Sequence, residues 1–230
     1  MSMMSIFPFF KVHHFFKGIN GYSAMFYPLV GFLLGSILYG THLVLDGLVP
    51  PLHEAVIIFA LWVLLTGALH LDGLSDTIDG LFVPKERALE VMKDSHVGGM
   101  GMTFSFVFLS LKLSSLLALE AYYLLPLILM FSRLNATLAI YFFEYVSSGI
   151  GALLKEELKL KHLALSVVFS LFVASFFSLV SAFFVALLVL FVSAKFFTNR
   201  LGGFTGDTYG FIIEMTELFL LNYIIILNFS

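Results

Sequence analysis

Long apolar runs and short polar breaks alternate along this chain. Seven runs stand out, over residues 22–45, 54–71, 102–120, 123–145, 163–179, 182–198 and 208–228. Each is close to the ~20 residues that a helix needs to cross a bilayer. The pattern predicts an all-α fold: a polytopic integral membrane helix bundle of about seven transmembrane helices, in one membrane-embedded domain over 1–230. The fifth and sixth runs form a tight pair. Two polar connections break the series, one over 72–101 and one over 147–162, the latter with Lys155, Glu156, Glu157, Lys159 and Lys161. Within the first, 84–93 has the spacing of a short amphipathic helix. Ala88, Leu89, Val91 and Met92 would face the membrane, and Lys85, Arg87 and Lys93 would face water or lipid phosphates.

Composition agrees: 60% of residues are hydrophobic, 12% are charged, 28 are Phe, and the mean hydropathy is +1.02. A water-soluble domain of this length needs far more polar surface. The placement of the few cations adds sidedness. From the N-terminus on, the connections hold two, none, three, none, three, none and two Lys or Arg, with Lys195 at the end of the sixth run counted in the last pair. Strict alternation is what the positive-inside rule produces. It predicts a cytoplasmic N-terminus, an external C-terminus, and a cytoplasmic face shared by segment 72–101 and the loop 200–207. The first twenty residues hold Lys11, Lys17 and a Phe-rich run without a small-residue cleavage site, and read as an interfacial segment. Absence of cysteine excludes disulfides, thiolate metal sites and cysteine nucleophiles. A net charge of −3 with no basic run gives no sign of nucleic-acid binding.

The chemistry concentrates in His70-Leu71-Asp72-Gly73-Leu74-Ser75-Asp76-Thr77-Ile78-Asp79-Gly80. Asp72, Asp76 and Asp79 stand at i, i+4 and i+7, within about 40° of one another around a helix. Like charges stacked this way repel, so a cation is expected among them. A hard divalent ion that also touches a phosphate is the natural candidate; a solvated acidic helix face is the plainer alternative. His70 projects about 160° away from Asp72 and reads as a hydrogen-bonding spacer rather than a ligand.

Four more charges fall where charge is costly. Lys112 and Arg133 lie near the middle of the third and fourth runs, and Glu214 and Glu217 share a stripe of the last helix with Asp207 and Gly210. Ionisable groups at mid-bilayer face a partner or a wet cavity. Pairing with each other and holding a ligand phosphate are both open to them. Two glycine-rich loops, Lys93-Asp94-Ser95-His96-Val97-Gly98-Gly99-Met100-Gly101 and Arg200-Leu201-Gly202-Gly203-Phe204-Thr205-Gly206-Asp207, lead into the third and seventh runs. Glycine at a helix entrance lets backbone N–H groups approach an anion, which makes a phosphate site plausible on the aspartate face.

Leu65-Thr66-Gly67-Ala68 followed by the acidic stretch resembles the signature of the cobalamin synthase (adenosylcobinamide-GDP ribazoletransferase) family. Arg87 to Ser95, Arg200 to Asp207 and Ile213-Glu214-Met215-Thr216-Glu217-Leu218 agree in order and spacing. Ser75 stands where Ala is usual, and His96 where Arg is common. The resemblance implies transfer of the cobinamide-phosphate moiety of adenosylcobinamide-GDP to a hydroxyl of α-ribazole or its 5′-phosphate. GMP and adenosylcobalamin or its 5′-phosphate would be the products, formed with Mg²⁺ (Mn²⁺ substituting) at the cytoplasmic face of the cell membrane. On that basis Asp72 and Asp76 are expected to ligate metal, Asp94 and Asp207 to help hold a second ion, and Asp76 and Asp79 to be catalytic. Asp79 is read as general base or as a further metal ligand. Lys93, Ser95, Gly98, Lys112, Arg133, Arg200, Gly203, Thr205, Glu214 and Glu217 are the expected substrate- or phosphate-binding residues. The partners implied are the two substrates and the lipid bilayer, with a homo-oligomer or association with other corrinoid-pathway enzymes left open. Two rivals are a CDP-alcohol phosphotransferase acting on lipid, which usually has Ala-Arg where this chain has Leu74-Ser75, and an ion-coupled membrane transporter.

Overall fold

Eleven α-helices account for most of the chain in a computed structural model that describes residues 18–94 and 96–229. They are α1 (Ile19–Met25), α2 (Tyr27–Leu45), α3 (Pro51–Thr66), α4 (Leu69–Leu81), α5 (Lys85–Val91), α6 (Gly99–Leu117), α7 (Leu125–Phe142), α8 (Ile150–Glu157), α9 (Leu160–Phe176), α10 (Ser181–Leu201) and α11 (Gly206–Phe229). Proline lies in the first turn of α2, α3 and α7, where its missing N–H is no loss. Among the described residues no β-sheet forms; a single parallel bridge pairs Tyr145 with Phe204.

Five helices (α2, α6, α7, α10 and α11) are long and apolar enough to cross a membrane alone. Two bent pairs, α3 with α4 and α8 with α9, raise the count to seven. All seven apolar runs are thus represented, but two connections are more structured than the sequence suggests. The second run stops at Thr66, not at residue 71. Gly67 and Ala68 both adopt left-handed backbone (φ 62° and 55°), and their N–H groups cap α3 by bonding Leu64 O and Val63 O. The chain then turns 82° into α4. Segment 147–162 likewise contains α8, which meets α9 at 91°. Residues 1–17, with Lys11, Lys17 and the interfacial segment, lie outside the described residues.

Helix α7 is the hub, buried almost along its whole length. Helix α2 crosses it through Gly31 and Gly35: a Cβ on these glycines would stand 2.2 Å from Leu129 O and 2.5 Å from Leu125 O. Small residues four apart allow this backbone-to-backbone approach in a membrane bundle. The amphipathic helix forms as α5, with a correction: Ala88 and Met92 are buried against the bundle, Met92 beneath Gly80, rather than turned to lipid.

Candidate active site

Helix α4 lies across one end of the bundle and is two-faced. Leu71, Leu74 and Ile78 pack with Phe108 of α6 and Phe211, Met215 and Leu218 of α11. Asp72, Asp76 and Asp79 occupy the other side, graded in depth: Asp72 is exposed, Asp76 half-buried and Asp79 buried. The crossing of α4 over α11 is closed by glycines. A Cβ on Gly73 would stand 2.8 Å from Asp207 O, and one on Gly210 would stand 3.0 Å from His70 O. This contact brings Asp207, in the first turn of α11, beside α4, and leaves His70 buried under Gly210.

Asp72 and Asp76 have no hydrogen-bond or ion-pair partner among the described residues. Asp207 accepts one weak bond, from the Thr205 hydroxyl at 3.3 Å. Partial burial, joined by the charges of Asp72, Asp207 and Asp79, pushes the Asp76 carboxyl up to about 7. The cluster therefore carries negative charge with no cationic side chain to balance it. Among the described residues no three His, Asp or Glu side chains already converge at metal-ligand spacing. Donor chemistry nevertheless suits a hard cation, being all carboxylate oxygen.

Asp79 is engaged differently. Its Oδ2 accepts the Gly98 N–H and its Oδ1 the Gly101 N–H, both at 2.8 Å. It thus closes the N-terminus of α6, where free N–H groups and the helix dipole favour an anion. A Cβ on Gly98 or Gly101 would fall 2.4 or 2.3 Å from an Asp79 oxygen, so these glycines are there to admit the carboxylate. The anion that the first glycine-rich loop receives in this structure is the protein's own.

The other expected residues fall into three sets. Lys93 is exposed on the turn after α5, without an ion-pair partner among the described residues. Asp94, on the same turn, is bonded by the ring and N–H of His96, which holds its carboxyl below the usual carboxylate range. Ser95 lies outside the described residues. Arg200 donates to Leu81 O and Val83 O at the end of α4, while Lys85 donates to Asn199 O at the end of α10. Arg200, on α10, thus sits at the C-terminus of α4, and Lys85, the first residue of α5, at the C-terminus of α10. Gly203 packs under Glu144 O at 2.5 Å from an added Cβ, and the buried Thr205 exchanges bonds with Thr208 at the start of α11.

Lys112, Arg133, Glu214 and Glu217 form a closed network in the interior, all at most 3% exposed. Lys112 Nζ lies 2.6 Å from Glu214 Oε2 and 2.5 Å from Glu217 Oε2, and 4.4 Å from the Trp62 ring centroid. Arg133 Nη1 donates to Glu217 Oε1 and, at 2.8 Å, to Ser132 Oγ. Two cations and two carboxylates balance one another in charge, which is the pairing alternative, while Arg133 Nε and Nη2 stay buried without a hydrogen-bond partner. Sequence reasoning put Gly210 on the stripe of the last helix and Gly73 in the acidic stretch, but missed the α4–α11 crossing that they close and the Tyr145–Phe204 bridge. The crossing leaves only its two glycines as a trace in the sequence, and the bridge leaves none.

Fold and site together define a polytopic membrane protein with an unbalanced acidic centre at one end of its helix bundle. The chain belongs to the cobalamin-5-phosphate synthase family, whose sequence pattern matches residues 1–225. It is similar to proteins named adenosylcobinamide-GDP ribazoletransferase from three organisms. The relative in Pseudomonas fluorescens strain Pf0-1 is 39% identical over 212 residues, covering 86% of this chain and 85% of the relative. That of Thermosynechococcus vestitus is 39% identical over 211 residues (86% and 84%), and that of Desulforamulus reducens 37% over 241 residues (98% and 94%). No solved structure matches the chain.

Proposed function

We propose that this protein is an adenosylcobinamide-GDP ribazoletransferase. It joins the cobinamide phosphate of adenosylcobinamide-GDP to a hydroxyl of α-ribazole or its 5′-phosphate, and releases GMP. The observation that carries this reading is the partnerless pair Asp72 and Asp76 beside Asp207, in a chain related over most of its length to proteins of that name. The reaction breaks a pyrophosphate bond, and its barrier is lowered chiefly by neutralising and positioning phosphates.

Asp72, Asp76 and Asp207 are the residues that would hold Mg²⁺, or Mn²⁺ in its place. When bound, such an ion neutralises charge on the bridging phosphates. The hydroxyl that attacks the phosphate gives up its proton to a carboxylate oxygen of the cluster left free by the ion. Asp79 acts one step back, locking α4 to α6 so that Asp72 and Asp76 keep their place. Lys93, exposed and without an ion-pair partner among the described residues, is free to meet a substrate phosphate. The acidic end faces the cytoplasm, as the Lys and Arg alternation implies, in the cell membrane. Neither rival gains support: the buried charges close on one another rather than lining a pathway, and the relatives above bear no phospholipid-synthase name.

Purified protein should release GMP and form a complete corrinoid from adenosylcobinamide-GDP, α-ribazole and Mg²⁺. EDTA should silence it, and added Mg²⁺ or Mn²⁺ should restore it. No GMP under these conditions refutes the assignment, and undiminished turnover in EDTA refutes the metal.

A further inference from the structure

Beside the carboxylates three aromatic rings form a short column. Phe204 and Tyr209 have centroids 5.7 Å apart and planes 16° from parallel; Tyr209 and Tyr145 follow at 6.0 Å and 18°. Paired backbones hold the column to the loop that carries Asp207. The Phe204 N–H donates to Glu144 O, and the Val146 N–H to Phe204 O, both at 2.8 Å. Gly151 of α8 grips the phenol end of Tyr145, since a Cβ there would stand 2.4 Å from Cε2 and Cζ. The Tyr145 hydroxyl is within reach of the Ser147 side chain and the Gly206 N–H, and the Asp207 charge acts on it. Phe204 and Tyr209 are buried, whereas Tyr145, with Gly151 against its phenol end, is partly exposed next to Asp207. The Tyr209 hydroxyl, inside the column, is buried without a hydrogen-bond partner.

An interfacial tyrosine ordinarily anchors a protein among lipid headgroups, with its ring lying singly in the boundary. Three near-parallel rings, backbone-fixed and set against carboxylates, are instead preordered for one more flat ring. We propose that Tyr145 is the stacking platform for the planar heteroaromatic base of a nucleoside or nucleotide substrate, whose sugar or phosphate is thereby delivered beside Asp207. The proposal rests on the transferase reading for the reaction, but not for the binding. Both substrates carry such a base, benzimidazole on the ribazole and guanine on the GDP end, and base stacking on an aromatic ring tolerates either.

Tyr145→Phe should keep both KM values within about twofold, while Tyr145→Leu should raise KM for one substrate about tenfold with kcat little changed. The substrate affected identifies the base. Folding of Tyr145→Leu is checked by its melting temperature in detergent. A second variant needs no turnover: Tyr145→Trp places an indole at the column's end, the chain's only tryptophan, Trp62, being buried. Titration with α-ribazole or with GMP should quench that indole saturably for one of the two. Quenching by neither overturns the proposal, as does a folded Tyr145→Leu protein with both KM values unchanged. Saturable quenching in a protein that never releases GMP would leave the platform standing and remove the transferase reading instead.

Discussion

Asp76 is the residue whose environment is least comfortable, and its behaviour is open to measurement. Asp76→Asn should lower GMP release by about a hundredfold or more while membrane insertion and yield stay normal. Retention of a tenth of wild-type activity would exclude Asp76 from the catalytic centre. The raised carboxyl also sets a direction for stability. A fold that lifts an aspartate from 3.8 to about 7 favours its protonated form. The contribution is therefore complete below about pH 4 and is lost as pH rises through about 7. Metal-free protein should melt at progressively lower temperature across that window, and Asp76→Asn should flatten the slope. Mg²⁺ should restore stability at neutral pH and release protons as it binds.

At the level of helices, the site depends on two close approaches. Asp79→Ala removes both acceptors from the N-terminus of α6 and should cost about 1–2 kcal/mol, read as a lower melting temperature. Gly73→Ala adds one methyl group 2.8 Å from Asp207 O. It should cost about 1–3 kcal/mol and lower activity without altering any charge, because it pushes α4 off α11. Equal activity of Gly73→Ala and wild type would show that the crossing tolerates slack. These contacts explain what the sequence could and could not convey. The acidic face and the seven apolar runs were legible because helical periodicity and hydropathy are local. The partner of Asp79 was not, because the Gly98 and Gly101 N–H groups meet it only once α4 and α6 pack. The same holds for Arg200: its charge invited a phosphate, whereas tertiary packing gave it the end of α4. Helix α8 hid in a polar connection because its eight residues, half of them polar or glycine, leave no hydropathy signal.

For the molecule as a whole, the buried quartet joins α6, α7 and α11 where no water can substitute for a lost partner. Lys112→Met alone strands Glu214 and should destabilise the protein by about 3–5 kcal/mol. Lys112→Met with Glu214→Leu leaves the Arg133–Glu217 pair intact and should recover most of that loss in detergent melting. A double variant no more stable than the single would show that the network acts as an indivisible unit. The elbow at Gly67 and Ala68 has the widest reach. Unbent, residues 51–81 would make a rod of about 46 Å, and its acidic tip would stand clear of a hydrocarbon layer about 30 Å thick. Folded over at 82°, that tip becomes a shelf at the rim of the bundle. The carboxylates can then be met from the side by a reactant too bulky for an enclosed pocket.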